Sequence, residues 1–211
     1  MSVSKLSGMF FFSWLCHPLQ IGAVMPSGRA LGRAVARAID PARESDVVEL
    51  GAGTGSLTEA ILETGLPPER LVLVEMSPRF CDILRSRYPG VRVICGDAAR
   101  LRHLVHGVAE RTQAVVSGLP LLSMPRRVQE TILSQSLELL DNNGTFVQFT
   151  YSLGAPAARS VIRSAGAQGR RVAHVWNNIP PASVWHFTPA TARAGHDGTT
   201  FDEEGLLASP G

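Results

Sequence analysis

Runs of consecutive apolar residues alternate along this chain with segments in which apolar residues recur at every third or fourth position. The first pattern is typical of buried strands, and the second of helices that pack one face on a sheet. Seven apolar runs predict strands, at residues 46–50, 71–75, 91–95, 114–117, 145–150, 171–176 and 183–188. Because helical patterns separate the first five runs, we expect an α/β fold with a parallel, doubly wound sheet covered on both faces.

Capping residues mark where two of the predicted helices begin. Ser56 and Glu59 have the spacing of a capping box, and Gly65 is placed to end the same helix. Ser77 and Pro78 combine an N-cap residue with a proline at the first helical position. Each of these helices therefore begins shortly after a predicted strand.

Two amphipathic segments predict further helices. One extends from about residue 125 to 140 and runs into the sequence DNNG (141–144), which favours a turn. The other, at residues 27–39, has its apolar positions on one face. Its opposite face carries a stripe of arginines spaced four residues apart: Arg29, Arg33 and Arg37.

The composition fits one folded domain. Of the 211 residues, 45% are hydrophobic, which is enough for one substantial core. We divide the chain into N-terminal amphipathic helices (1–40), a central domain (41–188) and a polar tail (189–211) that we expect to be disordered. The apolar segments are too short to span a bilayer.

Charge and cysteine usage argue against several functions. The net charge of +2 is too small to indicate general nucleic-acid binding. The three cysteines, Cys16, Cys81 and Cys95, lack the spacing of a zinc site or a disulfide framework. We therefore expect no metal and a reducing, cytoplasmic environment.

The sequence VVELGAGTGSL (47–57) joins the first predicted strand to a helix. Its glycines, Gly51, Gly53 and Gly55, let the backbone approach a ligand closely at the carboxyl end of the strand. The dinucleotide fingerprint GxGxxG places a pyrophosphate at the helix start, whereas this loop reads ExGxGxG. Glu49 would repel a pyrophosphate but can pair with the ammonium group of an amino acid. The pattern indicates S-adenosylmethionine.

Two more carboxylates follow the next two predicted strands. Glu75 ends the second strand, about 20 residues after the loop, where a carboxylate can bind ribose hydroxyls. Asp97 follows the third strand and is placed to receive the adenine amino group. Either residue alone is equally well explained by helix capping or solvation. Carboxylates at three successive strand ends favour a cofactor site.

These motifs resemble those of class I S-adenosylmethionine-dependent methyltransferases, which have a Rossmann-like seven-stranded sheet. HPLQIGAVMPSGRAL (17–31), SGLPLL (117–122), QFTYS (148–152) and NNIPPASVW (177–185) make the chain similar to short bacterial phospholipid N-methyltransferases, over about residues 5–188. The resemblance implies S-adenosylmethionine as cofactor and successive methylation of phosphatidylethanolamine toward phosphatidylcholine. The cofactor-binding residues that we expect are Glu49, Gly51, Gly53, Thr54, Gly55, Glu75, Met76, Asp97, Ala98 and Ser117.

The turn after the fourth predicted strand bears on the substrate. Enzymes that methylate the adenine amino group usually have [ND]PP[YF] here, with an aromatic ring that stacks on the base. This chain has Ser117-Gly118-Leu119-Pro120 followed by two leucines. The missing ring and the low net charge count against the ribosomal RNA adenine dimethylases. Leu119 and Pro120 are candidate contacts for an alkyl amine on a lipid, and the leucines are also explained as core.

Methyl transfer to an amine is an in-line displacement that needs a neutral nitrogen lone pair. The backbone carbonyls of Ser117 and Gly118 are our candidates to hold the hydrogens of the amine, and Tyr151 is the best side-chain candidate. Trp176 is a weaker substrate candidate, because a tryptophan at an alternating strand position is more often core.

An aromatic cluster precedes the N-terminal helix and consists of Phe10, Phe11, Phe12 and Trp14. Such side chains suit the membrane interface, and an anionic lipid surface would attract the arginine stripe. We therefore expect a monomer that is peripherally associated with the inner face of the cytoplasmic membrane and has no nucleic-acid partner. The alternative is that the cluster forms a lid over the cofactor and that the arginines are a solvated face.

Two other functions stay open at this point. Another amino lipid, such as an ornithine lipid, would suit the same scaffold, and a non-enzymatic, membrane-associated nucleotide-binding module would share the fold. The intact carboxylates Glu49, Glu75 and Asp97 argue against the second.

Overall fold

Seven strands form one sheet in the computed structural model, which describes residues 26–109, 111–152 and 154–190. In chain order the elements are α1 (Pro26–Ala36), β1 (Asp46–Leu50), α2 (Ser56–Leu62), β2 (Leu71–Glu75), α3 (Pro78–Arg87), β3 (Arg92–Cys95), α4 (Leu101–Val105), β4 (Thr112–Ser117), α5 (Arg126–Leu139), β5 (Leu140–Thr150), α6 (Arg159–Ser164), β6 (Ala167–Val175) and β7 (Ala182–Pro189). Short 3₁₀ turns lie at Pro68–Arg70, Ala98–Arg100 and Leu121–Ser123. The aromatic cluster Phe10, Phe11, Phe12 and Trp14 and the tail from residue 191 lie outside the described residues.

The sheet order is β3-β2-β1-β4-β5-β7-β6. The strands from β3 to β5 are parallel, because the connections between them return the chain to the same end of the sheet. β7 pairs antiparallel with β5 and β6, since the turn at residues 176–181 is too short for a crossover. The predicted α/β fold is confirmed, but the last hairpin makes the sheet mixed. β7 ends at Pro189, the first residue that we assigned to the tail.

Alternate side chains of the strands enter two hydrophobic clusters, one on each face of the sheet. On β1, Val47 belongs to one cluster and Val48 to the other, and both are fully buried. Helix α1 adds Leu31 and Val35 to the first cluster and packs beside α2. The three arginines of the predicted stripe are exposed, as their spacing predicted. None of the described helices is long and apolar enough to cross a membrane.

The start of α2 differs from its prediction. Gly55, with a left-handed φ of 88°, occupies the N-cap, Ser56 is the first helical residue, and no side chain caps the helix. The carboxylate of Glu59 lies 2.8 Å from the guanidinium of Arg87 instead of turning back to the helix start. The capping-box prediction is wrong, because a contact distant in sequence takes one of its two members.

The start of β5 also differs from its prediction. Leu140 already pairs with Thr112, and regular pairing resumes at Thr145, so the DNNG segment is an irregularity within the strand rather than the predicted turn. Both carboxylate oxygens of Asp141 accept hydrogen bonds of 2.7 Å from Arg43. This ion pair, in which one guanidinium nitrogen donates to both oxygens, ties the segment to the loop before β1, which local turn preference does not reveal.

Candidate active site

The loops after β1, β2, β3 and β4 meet at the carboxyl edge of the sheet. Three loops donate backbone hydrogen bonds to a neighbouring strand: Gly51 to Val74 at 2.8 Å, Gly96 to Glu75 at 2.9 Å and Gly118 to Leu50 at 2.8 Å. The strand order reverses between β1 and β4, which is where open α/β sheets bind ligands. The cofactor residues predicted from the sequence therefore lie along one edge.

The three glycines after β1 all have left-handed backbone conformations but differ in their surroundings. A Cβ atom on Gly51 would lie 2.5 Å from the Leu119 side chain, and one on Gly55 would lie 2.6 Å from the ring of Tyr88. A Cβ on Gly53 would meet no described atom within 4 Å. Gly51 and Gly55 are thus required for close packing, whereas Gly53 borders open space in which a ligand fits.

Tyr88 supports the glycine loop after β1, and this role was not predicted from the sequence. It follows α3, is buried, and donates a hydrogen bond of 2.9 Å from its hydroxyl to the carbonyl of Gly55. Burial raises the pKa of the Tyr88 hydroxyl to about 12, so it stays a donor at neutral pH. The sequence carries no signal for this contact, because the two residues are 33 positions apart.

Glu75 joins the glycine loop to the loop after β2. One carboxylate oxygen accepts a hydrogen bond of 2.9 Å from the N–H of Gly53, and the other accepts one of 2.8 Å from the N–H of Ser77. A carboxylate has about four acceptor positions, so both oxygens keep a further lone pair. Glu75 can therefore hold the loop and bind ribose hydroxyls at the same time.

Glu49 is fully buried, and only one of its two carboxylate oxygens has a hydrogen-bond partner among the described residues. Its Oε2 accepts a hydrogen bond of 2.7 Å from the hydroxyl of Thr58, while Oε1 has no partner among the described residues. Burial raises the pKa of Glu49 to about 7; the bond from Thr58 opposes this rise and the charge of Glu75 adds to it. A cation such as the ammonium of S-adenosylmethionine would supply the missing partner. Glu49, Gly53 and Glu75 thus fit this cofactor.

The remaining cofactor candidates follow β1, β2 and β3 along the same edge. Asp97 is exposed, and its Oδ1 accepts a hydrogen bond of 2.9 Å from the N–H of Ala99, so it caps the 3₁₀ turn that follows. Ala98 is buried, Thr54 is half-buried in the glycine loop, and Met76 is 71% exposed. The role of Asp97 toward adenine stays a prediction.

The turn after β4 is held by the buried side-chain amide of Gln148, which was not predicted from the sequence. The Nε2 of Gln148, on β5, donates to the carbonyls of Leu119 and Phe149 at 3.0 Å each. Ser117 is buried, and its hydroxyl accepts a hydrogen bond of 3.3 Å from the N–H of Leu119. These contacts fix the turn from Ser117 to Pro120 beside the glycine loop. The side chain of Gln148 could have been noticed only as a polar residue in an apolar strand.

Tyr151 and the turn between β6 and β7 are in contact. Tyr151 is half-buried, its ring lies edge-on to Phe149 with centroids 5.7 Å apart, and its hydroxyl is hydrogen-bonded to the side chain of Asn178. Burial raises the pKa of Tyr151, against that hydrogen bond, so its hydroxyl stays protonated. Trp176, in the same turn, is exposed rather than core. Among the described residues, no cluster of His, Cys, Asp and Glu could hold a metal ion.

Comparison with known sequences identifies the family. Residues 47–144 match the family described as "Methyltransferase domain". An ornithine lipid N-methyltransferase from Singulisphaera acidiphila is 33% identical over 147 residues, which are 67% of this chain and 76% of that protein. A ribosomal RNA small subunit methyltransferase A from Rhodopseudomonas palustris is 36% identical over 92 residues, which are 41% of this chain and 30% of that protein.

Solved methyltransferases share the fold. The 1,6-didemethyltoxoflavin-N1-methyltransferase of Burkholderia thailandensis, solved with S-adenosylhomocysteine, has a TM-score of 0.62 at 16% identity over 88% of both chains. The CcbJ methyltransferase of Streptomyces caelestis has a TM-score of 0.61 at 19% identity over 78% of this chain and 90% of that one. The chain belongs to the class I S-adenosylmethionine-dependent methyltransferases. It is a methyltransferase enzyme, and S-adenosylmethionine is its cofactor.

Replacing Glu75 tests the ribose site. Glu75→Ala removes a charged hydrogen-bond acceptor, a loss of about 1.5–3 kcal/mol in total, so the dissociation constant of S-adenosylmethionine should rise about 10- to 150-fold. Isothermal titration calorimetry measures this change. Glu69→Ala, which removes an exposed carboxylate from the 3₁₀ turn before β2, is the matched control and should bind normally. An unchanged affinity of Glu75→Ala for S-adenosylmethionine would show that Glu75 is not part of the cofactor site.

Gly53→Val tests the open space beside the glycine loop. A branched side chain there would fill the ligand volume, so cofactor binding should be lost while the sheet stays folded. Gly107→Val is the control, since Gly107 also has a positive φ, of 70°, and space around it, but lies in the turn after α4. Both variants should lose similar stability in thermal unfolding, and only Gly53→Val should lose calorimetric binding. Normal binding by Gly53→Val would show that the cofactor does not bind beside this loop.

Glu49→Gln tests the buried carboxylate through pH. The folded pKa of about 7 lies above the ordinary value of 4.5, so the folded protein holds a proton that the unfolded chain releases. The free energy of unfolding of the ligand-free protein should therefore fall as the pH rises from about 4.5 to 7, and Glu49→Gln should lack this part of the fall.

Cofactor affinity should have the opposite pH dependence. Ionised Glu49 attracts the ammonium, so affinity of the wild type should rise as the pH passes through about 7, and that of Glu49→Gln should not. Thermal unfolding and calorimetry over the same pH series measure both slopes. Identical slopes in the two proteins would show that Glu49 neither holds the proton nor meets the cation.

Proposed function

We propose that this enzyme methylates the primary amine of a membrane lipid, with phosphatidylethanolamine as the first candidate and phosphatidylcholine as the product of successive transfers. The observation that carries the proposal is the turn after β4. Its Leu119 packs against Gly51 beside the cofactor loop, and Ser117 to Pro120 include no aromatic ring that could stack on a base. An apolar turn of this kind suits a small alkyl amine.

Desolvation at this turn favours the reactive form of the substrate. A primary ammonium has a pKa near 10.4 in water, and removal from water lowers that value toward the neutral amine. When bound, S-adenosylmethionine supplies an electrophilic methyl group. The carbonyls of Ser117 and Gly118 are the acceptors that we assign to the amine hydrogens, and orientation then contributes most of the acceleration.

Tyr151 contributes as a neutral phenol rather than as a base. Because burial raises its pKa, its hydroxyl keeps its proton, and the bond with Asn178 fixes its position. The ring stands at the end of β5, next to β4 in the sheet, where its face can approach an amine that gains positive charge as methyl groups accumulate.

An ornithine lipid is the second candidate substrate, and the similarity to the Singulisphaera enzyme favours it. That relative is named as an ornithine lipid N-methyltransferase, and the alignment covers 76% of its length. Both candidate lipids present a primary amine, so the chemistry proposed for Ser117 and Gly118 is the same.

Ribosomal RNA is the alternative that the shorter similarities raise. The net charge of +2 and the missing ring in the turn after β4 argue against it. A lipid substrate instead requires the enzyme to reach a bilayer. We therefore propose a monomeric cytoplasmic enzyme at the inner face of the cytoplasmic membrane, and the exposed arginines of α1 support that placement.

Lipid analysis after expression tests the proposal. A bacterial host that makes phosphatidylethanolamine but no phosphatidylcholine should accumulate mono-, di- or trimethylated phosphatidylethanolamine, measured by mass spectrometry of extracted lipids. Gly53→Val, expressed to the same level, is the control and should give none. Purified enzyme is then assayed on vesicles with phosphatidylethanolamine, on vesicles with ornithine lipid, and on small-subunit ribosomal RNA.

The three arms of the assay give different conclusions. Methylation of ornithine lipid alone would move the assignment to the second candidate. Methylation of RNA without any lipid product would contradict the proposal. Absence of all three products from an enzyme that binds S-adenosylmethionine would also contradict it.

A further inference from the structure

The described residues expose four large apolar side chains, those of Met76, Leu122, Trp176 and Ile179. Met76 follows β2 and Leu122 follows β4, at the carboxyl edge of the sheet. The other two lie in the turn 176–181 between β6 and β7. Because β6 and β5 are both antiparallel to β7, the carboxyl end of β6 is on this same edge. All four side chains therefore lie on the side of the molecule that holds the cofactor loops.

The turn between β6 and β7 is anchored inward and presents apolar groups outward. Asn178 is 3% exposed and donates a hydrogen bond of 2.7 Å to the carbonyl of Pro180, in addition to its bond with Tyr151. On either side of it, Trp176 is 76% exposed and Ile179 is 74% exposed. A soluble surface rarely groups such residues in one turn unless they meet a partner.

A basic groove adjoins the same turn. It has a volume of about 820 Å³, lies along α1 between α2 and β6, and includes Trp176 in its lining. Arg33 and Arg37 line it, opposed by the single carboxylate of Glu63. Both arginines are exposed, and neither forms an ion pair with another described residue. Their guanidinium groups are thus available to an anionic partner.

We propose that this turn and this groove together dock the enzyme on an anionic phospholipid bilayer. In the docked state Trp176 and Ile179 enter the interfacial zone of the lipid, and Arg33 and Arg37 contact headgroup phosphates. An exposed tryptophan beside exposed arginines is the combination that suits this zone, where one end of the contact is apolar and the other is charged. The proposal rests on the lipid substrate proposed above and adds the surface through which that substrate is reached.

Docking through this turn places the site where a lipid amine can enter. Asn178 links the turn to Tyr151, which ends β5 beside the turn that follows β4. The headgroup can then reach Ser117 and Gly118 while its acyl chains stay in the bilayer.

Vesicle binding of full-length variants tests the docking surface. Trp176→Ser/Ile179→Ser should lower binding to vesicles of phosphatidylcholine with phosphatidylglycerol at least 10-fold in flotation assays, with an unchanged dissociation constant for S-adenosylmethionine. Arg33→Gln/Arg37→Gln should weaken binding and flatten its salt dependence. Arg163→Gln/Arg170→Gln is the charge-matched control, because both arginines are exposed and lie toward the opposite edge of the sheet, at the end of α6 and in the first half of β6, and it should bind like wild type.

Activity separates docking from chemistry. Ile179→Ser should lower turnover of phosphatidylethanolamine in anionic vesicles several-fold and leave turnover of a short-chain, water-soluble form unchanged. Thermal unfolding shows whether the double variant Trp176→Ser/Ile179→Ser is folded. If it is not, the vesicle-binding assay is repeated with Ile179→Ser alone, which changes an exposed position.

Several outcomes would overturn the docking proposal. Wild-type binding by the turn variants would do so even if lipid is methylated, and so would equal binding of the wild type to purely zwitterionic vesicles. A dimer in light scattering that Trp176→Ser/Ile179→Ser dissociates would assign the patch to self-association instead. Vesicle binding that depends on the turn, in an enzyme that methylates no lipid, would leave docking standing and remove only the proposed function.

Discussion

Strand β1 lies between β2 and β4, and both of its faces are covered. The loop that follows β1 is therefore crowded by the loops of the neighbouring strands. Gly118, after β4, donates to the carbonyl of Leu50, and Leu119 packs on Gly51. A Cβ on Gly51 would come within 2.5 Å of Leu119, and one on Gly118 within 2.9 Å of the Gly51 carbonyl. The close approach of these two loops requires glycine in both, and it brings the candidate cofactor loop and the proposed amine site together. Gly53, further along the loop after β1, borders the open space in which the cofactor fits.

Two buried carboxylates at this edge have different roles because their partners differ. Glu75 receives an N–H from Gly53 and another from Ser77, so its charge is stabilised by the protein itself. Among the described residues Glu49 receives hydrogen bonds only from Thr58 and is otherwise desolvated, which raises its pKa to about 7. Glu75 therefore sets the shape of the loop, whereas Glu49 completes its interactions only with a cation. The fold tolerates this cost to stability because Glu49 can protonate when no positive charge is near it.

The sequence predicted the parts of the site that depend on local spacing. The glycine loop follows β1, Glu49 lies within β1 and Glu75 is the last residue of β2, and both strands have the bounds that their apolar runs predicted. It did not predict Tyr88, which lies 33 positions from its partner Gly55, or Gln148, which lies 29 positions from Leu119. These contacts depend on which strands become neighbours, and a pattern of apolar residues does not encode strand order.

Local signals also failed where a distant residue competed for the same group. The capping box at the start of α2 was wrong because Arg87 binds Glu59, and the DNNG turn was wrong because Arg43 binds Asp141. Trp176 was predicted at the end of a strand, where its alternation made it a weaker substrate candidate, but the strand ends at Val175 and the exposed tryptophan falls in the turn. For the capping box, a local preference worth about 1 kcal/mol was overridden by a tertiary contact.

The antiparallel placement of β7 brings the far edge of the sheet close to the candidate site. By pairing between β5 and β6, β7 brings the turn 176–181 to the carboxyl edge, and the contact of Asn178 with Tyr151 joins that turn to the end of β5. A soluble substrate would not need apolar side chains around the entrance. A lipid keeps its acyl chains in the bilayer because exposing them to water is costly, so its amine is available only at the interface. An enzyme for such an amine needs its entrance and its apolar surface on one edge, and Met76, Leu122, Trp176 and Ile179 meet that requirement.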